Sequence, residues 1–203
     1  MLSADDPLPR TPRRVLVAGV TGSGKTTLSR RIAALWNLRH TEIDGLFHGE
    51  NWTPRPSFLD DVRAFASEEL WVTEWQYTSK GTDEVLAPRA DLVVWLDYPF
   101  RVVRARLLRR TLSRSILRTK MWNGNVEKPI WRMFSGNPEG NIVAWQTMTL
   151  HKWTERMPEA EVAFPHLTIV RLRHPREAES WLRAQAGASG VSTAPPKRRS
   201  RDR

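Results

Sequence analysis

The chain has 203 residues, 40% hydrophobic and 27% charged, with no cysteine and a formal net charge of +10. This is apolar material for one sizeable core, and it excludes a disulfide framework, a thiolate metal site and a thiol nucleophile. The longest strongly apolar run, Leu92 to Leu96, falls far short of the roughly 20 residues that cross a bilayer, and residues 1–14 lack the apolar stretch of a signal peptide. A soluble, cytoplasmic protein without membrane contact is expected. The positive charge is local: residues 101–120 carry 8 basic and 0 acidic groups and residues 187–203 carry 5 and 1, whereas residues 1–100 carry 11 and 14. An internal anion site plus a basic tail fits this distribution better than a generally cationic surface.

In chain order, residues 1–12 contain three prolines and no periodicity, and are expected to form a flexible tail. The short apolar run Arg14 to Ala18 reads as a strand, and Thr26 to Trp36 as a helix with Leu28, Ile32, Leu35 and Trp36 at helical spacing. His40 to Ile43 is a candidate second strand. Pro56 and Ser57 open a helix whose Phe58, Leu59, Val62, Phe65 and Leu70 share a face. Trp71 to Thr73, Leu92 to Leu96 and Leu167 to Leu172 read as buried strands, and Pro175 to Ala186 as a closing amphipathic helix. Between the last two strands lie the basic stretch and a Gly/Asn/Pro-broken segment, Asn123 to Asn141, followed by helical sequence to Met157. Beyond Gly187 the composition is that of a disordered basic tail, 187–203. The ordered domain is therefore 13–186, with strands and helices alternating as in a parallel α/β sheet.

Gly19-Val20-Thr21-Gly22-Ser23-Gly24-Lys25-Thr26 fits G-x-x-x-x-G-K-[ST] between a predicted strand and a predicted helix. Glycines let successive backbone N–H groups of such a turn face phosphate oxygens, and the helix start adds its positive dipole end. Gly19, Thr21, Gly22, Ser23, Gly24, Lys25, Thr26 and Thr27 are the candidate phosphate contacts. Lys25 reaches the outer phosphates and the Thr26 hydroxyl suits Mg²⁺. A second acidic partner belongs at the end of a neighbouring strand. The candidates are the Glu42/Asp44 pair, Glu74 after Trp71-Val72-Thr73, and Asp97 after Val93-Val94-Trp95-Leu96. Asp97 fits best by pattern, but sheet order favours Glu74 and Asp44; Asp97 stays open between site residue and helix cap.

With these residues in view the chain resembles the small P-loop kinases, the family of nucleoside-monophosphate, shikimate and gluconate kinases. It is more closely similar to adenylate-kinase-like proteins called DNA-topology-modulation proteins. The resemblance implies a P-loop NTPase fold, a three-layer α/β/α sandwich whose five-stranded parallel sheet has order 2-3-1-4-5, with a helical lid at about 111–140. It implies an ATP- and Mg²⁺-dependent phosphotransferase acting on a small acceptor. Glu42-Ile43-Asp44 resembles the D-x-D of shikimate-type kinases, which makes Asp44 the candidate base, although Glu42 departs from the usual Asp. Glu74 takes the place of a carboxylate that holds a magnesium-bound water, and Arg106 and Arg110 are similar to lid-base arginines that contact the nucleotide. Thr78 stands where adenylate kinases carry an arginine for the acceptor phosphate, so a monophosphate acceptor is not implied. Trp122-Asn123-Gly124-Asn125-Val126-Glu127 looks like a motif of the topology-modulation group and marks the lid.

The bland alternatives concern individual side chains. Trp52, Trp75 and Trp122 either stack on a planar ring or pack as core and lid. His151, Lys152 and Arg156 share a helical neighbourhood and either reach a phosphate on lid closure or, as the sequence favours, form a solvated face, and His40, His48, His166 and His174 have no metal-ligand spacing. The alternative function is a nucleotide-dependent regulator or a nucleic-acid-associated ATPase, supported by Lys197-Arg198-Arg199 in the tail, which is suited to weak, nonspecific nucleic-acid binding. Monomer and dimer are both compatible with the sequence.

Overall fold

A computed structural model describes residues 1–117, 122–125 and 146–188. Five strands, β1 Arg14–Gly19, β2 Arg39–Thr41, β3 Trp71–Glu74, β4 Leu92–Leu96 and β5 Thr168–Leu172, form one sheet of order β2-β3-β1-β4-β5. Every pairing is parallel, as the sequence led us to expect. Among the described residues, helices α1 Lys25–Trp36, α2 Ile43–Phe47, α3 Phe58–Ala66, α4 Thr82–Leu86, α5 Phe100–Leu117, α6 Lys152–Ala163 and α7 Pro175–Ala188 connect or flank the strands. Among the described residues no helix is long and apolar enough to cross a membrane.

The strands are apolar on both faces because both faces are covered. Along β1, Leu16 and Ala18 pack with Trp71, Val93, Trp95 and the α3 and α6 residues Val62, Phe65 and Met157. Val15 and Val17 face the opposite way, onto Leu28 and Ile32 of α1 and Trp181 and Leu182 of α7. The period of two thus assigns alternate residues to two cores and makes three layers. Fully buried side chains such as Ile32, Trp71, Trp95 and Trp181 each contribute about 1.5–3 kcal/mol by leaving water. Phe58, Val62 and Phe65 bury the predicted face of α3, whereas Leu70 lies beyond the helix and is exposed.

Three expectations change. Residues 1–12 are not a loose tail: Leu2 forms a parallel bridge with Val170, its N–H donating to the Ile169 carbonyl at 2.7 Å while its own carbonyl accepts from Arg171 N–H at 2.9 Å. The edge strand β5 offers unpaired backbone groups, and the N-terminus satisfies two of them. The Met1 ammonium pairs with Glu161, and Leu2 and Leu8 pack against the second core. The candidate second strand 40–43 lies at Arg39–Thr41, and Ile43 already starts α2. The closing helix runs to Ala188, two residues past the expected domain end at 186. The rest of the basic tail and most of the expected lid, 111–140, lie outside the described residues; within it, 111–117 continue α5.

Candidate active site

The glycine-rich loop leaves the central strand β1 and enters α1, so the buried start of a helix sits at the carboxyl end of the sheet. Gly22 and Gly24 hold φ of 89° and 99°, a left-handed backbone that other residues adopt at a cost. Gly22 also lies hard against α5: a Cβ there would stand 2.6 Å from the Val103 carbonyl oxygen and 3.0 Å from Leu107 Cβ. The loop is held from outside by Gln146, whose Nε2 donates to the Thr21 carbonyl at 2.8 Å, and by Arg106, whose Nη1 donates to the Ser23 carbonyl at 3.2 Å. Ser23 Oγ is buried and has no hydrogen-bond partner among the described residues. A buried, unsatisfied hydroxyl inside a ring of loop amides matches an oxyanion that accepts from it.

Lys25 is 8% exposed. Its Nζ donates to the carbonyls of Gly19 at 2.9 Å and Val20 at 3.3 Å. Burial pushes its ammonium down to about 8, with the carboxylates of Asp44 and Glu74 acting against the shift and the charges of Arg110 and Lys152 adding to it. Arg106, Arg110, Asp44, Glu74 and Lys25, predicted together, are therefore brought into one neighbourhood. Lys152 joins them. Its ammonium is also lowered by burial, and Lys152 is half-buried while His151, Thr154 and Glu155 beside it are exposed.

Glu74 ends β3 and is 1% exposed. One carboxylate oxygen meets His40 Nε2 at 3.1 Å and the other accepts from Ile43 N–H at 3.4 Å. Asp44, in the first turn of α2, accepts from the Tyr77 hydroxyl at 2.7 Å, and His48 Nε2 lies 3.1 Å from the same phenolic oxygen. Burial first, then Asp44, pushes the Tyr77 phenol up, so it stays a donor. Asp97 binds Arg171 of β5 through Nε at 2.8 Å and Nη2 at 2.5 Å, and Arg171 in turn lies over the Trp95 ring. Arg156 is likewise engaged, with Asp83 and over Trp75.

The segment Trp122 to Asn125 covers the loop between α2 and α3. Asn125 accepts from Trp52 N–H at 3.0 Å and donates to the Gly49 carbonyl at 2.8 Å, while Asn123 donates to the His48 carbonyl. Trp122 Nε1 donates to Glu42 at 2.7 Å, and Glu42 also pairs with Arg30. A Cβ on Gly45 would be 3.0 Å from Trp122 Cδ1. Four non-glycine residues here are left-handed: Asn51, Trp52, Tyr77 and Asn123, at φ 54°, 62°, 57° and 54°. Trp75, by contrast, is fully buried, donates to Asp83 at 2.7 Å and packs against Trp153, which is core packing and not ring recognition. Sequence reasoning missed His40, His48 and Tyr77. The positions of Tyr77 three residues after Glu74 and of His48 four after Asp44 were the available signals.

No family model matches the chain. It is 27% identical over 116 residues to the cytidylate kinase of Pyrococcus horikoshii, across 51% of this chain and 60% of that kinase, so less than two thirds of the relative's length is matched. Among solved structures it is similar to shikimate kinase from Acinetobacter baumannii in complex with shikimate, at 15% identity and a TM-score of 0.51, covering 88% of this chain and 94% of that one. It is also similar to a gluconokinase from Sinorhizobium meliloti, at 20% identity and a TM-score of 0.48, covering 89% and 97%. The chain has the fold and the phosphate loop of the P-loop small-molecule kinases. The finer likeness to topology-modulation proteins is not reached by these similarities.

The residues present fit a magnesium nucleotide. Among the described residues no group of three or more His, Asp and Glu side chains forms a metal cage. Mg²⁺ with a nucleotide needs none, because it keeps several waters and takes one or two protein oxygens beside the phosphates. Thr26 at the start of α1 and the buried Glu74 carry oxygens of that kind.

Proposed function

We propose that the protein is an ATP-dependent phosphotransferase that moves the terminal phosphoryl group of ATP to a hydroxyl of a small acceptor. The single observation that carries this reading is the buried Lys25 in its glycine nest, with the carboxylates of Asp44 and Glu74 close enough to act on its charge. Phosphoryl transfer asks for alignment, neutralisation of the transferring oxygens and exclusion of water. The loop amides and Lys25 bind the outer phosphates, and Arg106 and Arg110 add positive charge from α5. Asp44 orients the acceptor hydroxyl and accepts its hydrogen bond. Thr26 and Glu74 would hold Mg²⁺, which supplies charge neutralisation on the phosphates when bound. Glu74 is fixed for this by His40 and the Ile43 amide.

A transfer screen with Mg·ATP over nucleosides, nucleotides, sugars and hydroxy acids tests the reading, with Lys25→Ala as control. Phosphorylation of one acceptor class, lost in Lys25→Ala, is expected. Failure of every acceptor together with no uptake of any purine triphosphate in calorimetry would remove it.

A further inference from the structure

The carboxylate of Asp44 is not alone on the acceptor side. As a carboxylate it can only accept hydrogen bonds, so the 2.7 Å contact fixes the Tyr77 hydroxyl proton toward Asp44 Oδ1. The phenolic oxygen is then free to accept, and the 3.1 Å contact from His48 requires the proton on Nε2. Among the described residues the buried His48 Nδ1 makes no hydrogen bond of good geometry, while the Trp52 backbone lies near enough to act on the ring's charge. The Tyr77 ring is fixed in turn by stacking on Phe47 at 4.2 Å and 26°. His48 is fixed from above: Asn123 holds its carbonyl, and the Trp122 ring lies 6.2 Å away at 24°.

We propose that Tyr77 and His48 are positioning residues that hold the Asp44 carboxylate in one orientation, and that the Trp122 to Asn125 segment stabilises this chain of hydrogen bonds by gripping His48. The proposal rests on Asp44 as the acceptor-orienting carboxylate. It adds that the orientation is set from outside the phosphate loop, through three side chains in series. One carboxylate oxygen is committed to Tyr77, which leaves Oδ2 for the acceptor hydroxyl. A carboxylate that swings between rotamers loses rate because reacting groups must be held to within a fraction of an ångström.

Two measurements on the full chain test it. The first needs no nucleotide. Nitrogen-15 NMR of the histidine side chains at pH 8, with His48 assigned through His48→Gln, should show His48 as the Nε2–H tautomer alone. Tyr77→Phe, which keeps the stacked ring, should release it to a tautomer mixture, and Asn123→Ala should do so in part. The second uses Mg·ATP with water as the acceptor: Tyr77→Phe should lower turnover about tenfold while leaving Mg·ATP affinity in calorimetry unchanged. An unaltered His48 tautomer in Tyr77→Phe, or unaltered turnover, overturns the proposal. A wild-type protein that takes up no Mg·ATP defeats the phosphotransferase reading instead, and does so without touching the histidine spectrum.

Discussion

The ammonium of Lys25 folds back onto the carbonyl of Gly19, the first residue of the loop that Lys25 itself completes. The loop's own carbonyls thus solvate the charge that an incoming phosphate would receive. The arrangement is costly. An ammonium at about 8 in the folded chain and near 10.5 unfolded binds fewer protons folded than unfolded across that window, so stability rises with pH between the two values. The penalty is fully present below pH 8 and vanishes above 10.5, and its size is up to about 3 kcal/mol. Lys25→Met should therefore stabilise the nucleotide-free protein at pH 7 by about 1–3 kcal/mol in urea unfolding, even as it abolishes nucleotide binding. Binding of a triphosphate favours the charged lysine. Above about pH 8 affinity should accordingly fall by up to tenfold per unit with proton uptake, measurable by calorimetry in buffers of different ionisation enthalpy.

Gly22→Ala meets the Val103 carbonyl at 2.6 Å in a left-handed backbone. Something must move, and both neighbours are main chain or core. A loss of about 2–4 kcal/mol and of nucleotide affinity is expected. Gly124→Ala is the contrasting case: φ is also positive, 78°, but among the described residues no atom lies within 4 Å of the added carbon. Its cost should be limited to about 1–2 kcal/mol of backbone strain, read from thermal unfolding of the two variants side by side.

Asp97→Asn should leave nucleotide binding unchanged. Its partner is Arg171, and both side chains are partly exposed, at 25% and 32%, so the pair contributes no more than about 1 kcal/mol. A collapse of ATP affinity in this variant, measured by calorimetry, would return Asp97 to the site.

Removal of residues 1–6 should lower the melting temperature without altering nucleotide affinity. The deletion breaks the two backbone hydrogen bonds of Leu2 and bares the outer edge of β5, for a loss of about 1–3 kcal/mol. Increased self-association, followed by light scattering, should accompany the exposed edge.

The phosphate loop and the strands were legible because each rests on local chemistry, glycines at fixed spacing for one and apolar runs between helices for the other, whereas the strand order came only from the resemblance to P-loop kinases. What escaped depended on partners far along the chain. Asp97 looked like a site carboxylate because it follows four apolar residues, and only the neighbouring strand supplies Arg171, 74 positions later. Leu2 joins the sheet through a single bridge, too short to leave a periodic trace. Lys152 has the sequence surroundings of a solvated turn, yet it is half-buried and near enough to Lys25 to act on its charge. His40 has no metal-ligand spacing, yet pairing with Glu74 gives it a role. Trp122 was read as a ring for stacking or packing, and its indole N–H binding of Glu42 was invisible without the fold.

The left-handed residues Asn51, Trp52, Tyr77 and Asn123 all lie in or against the segment between α2 and α3. At Asn51 and Asn123, where no packed aromatic ring would be lost, a glycine would ease the backbone. Selection for heat resistance alone would therefore drift toward this patch, trading recognition for robustness, and a library sorted only by survival at high temperature should enrich for proteins that still grip nucleotide but no longer choose what receives the phosphate.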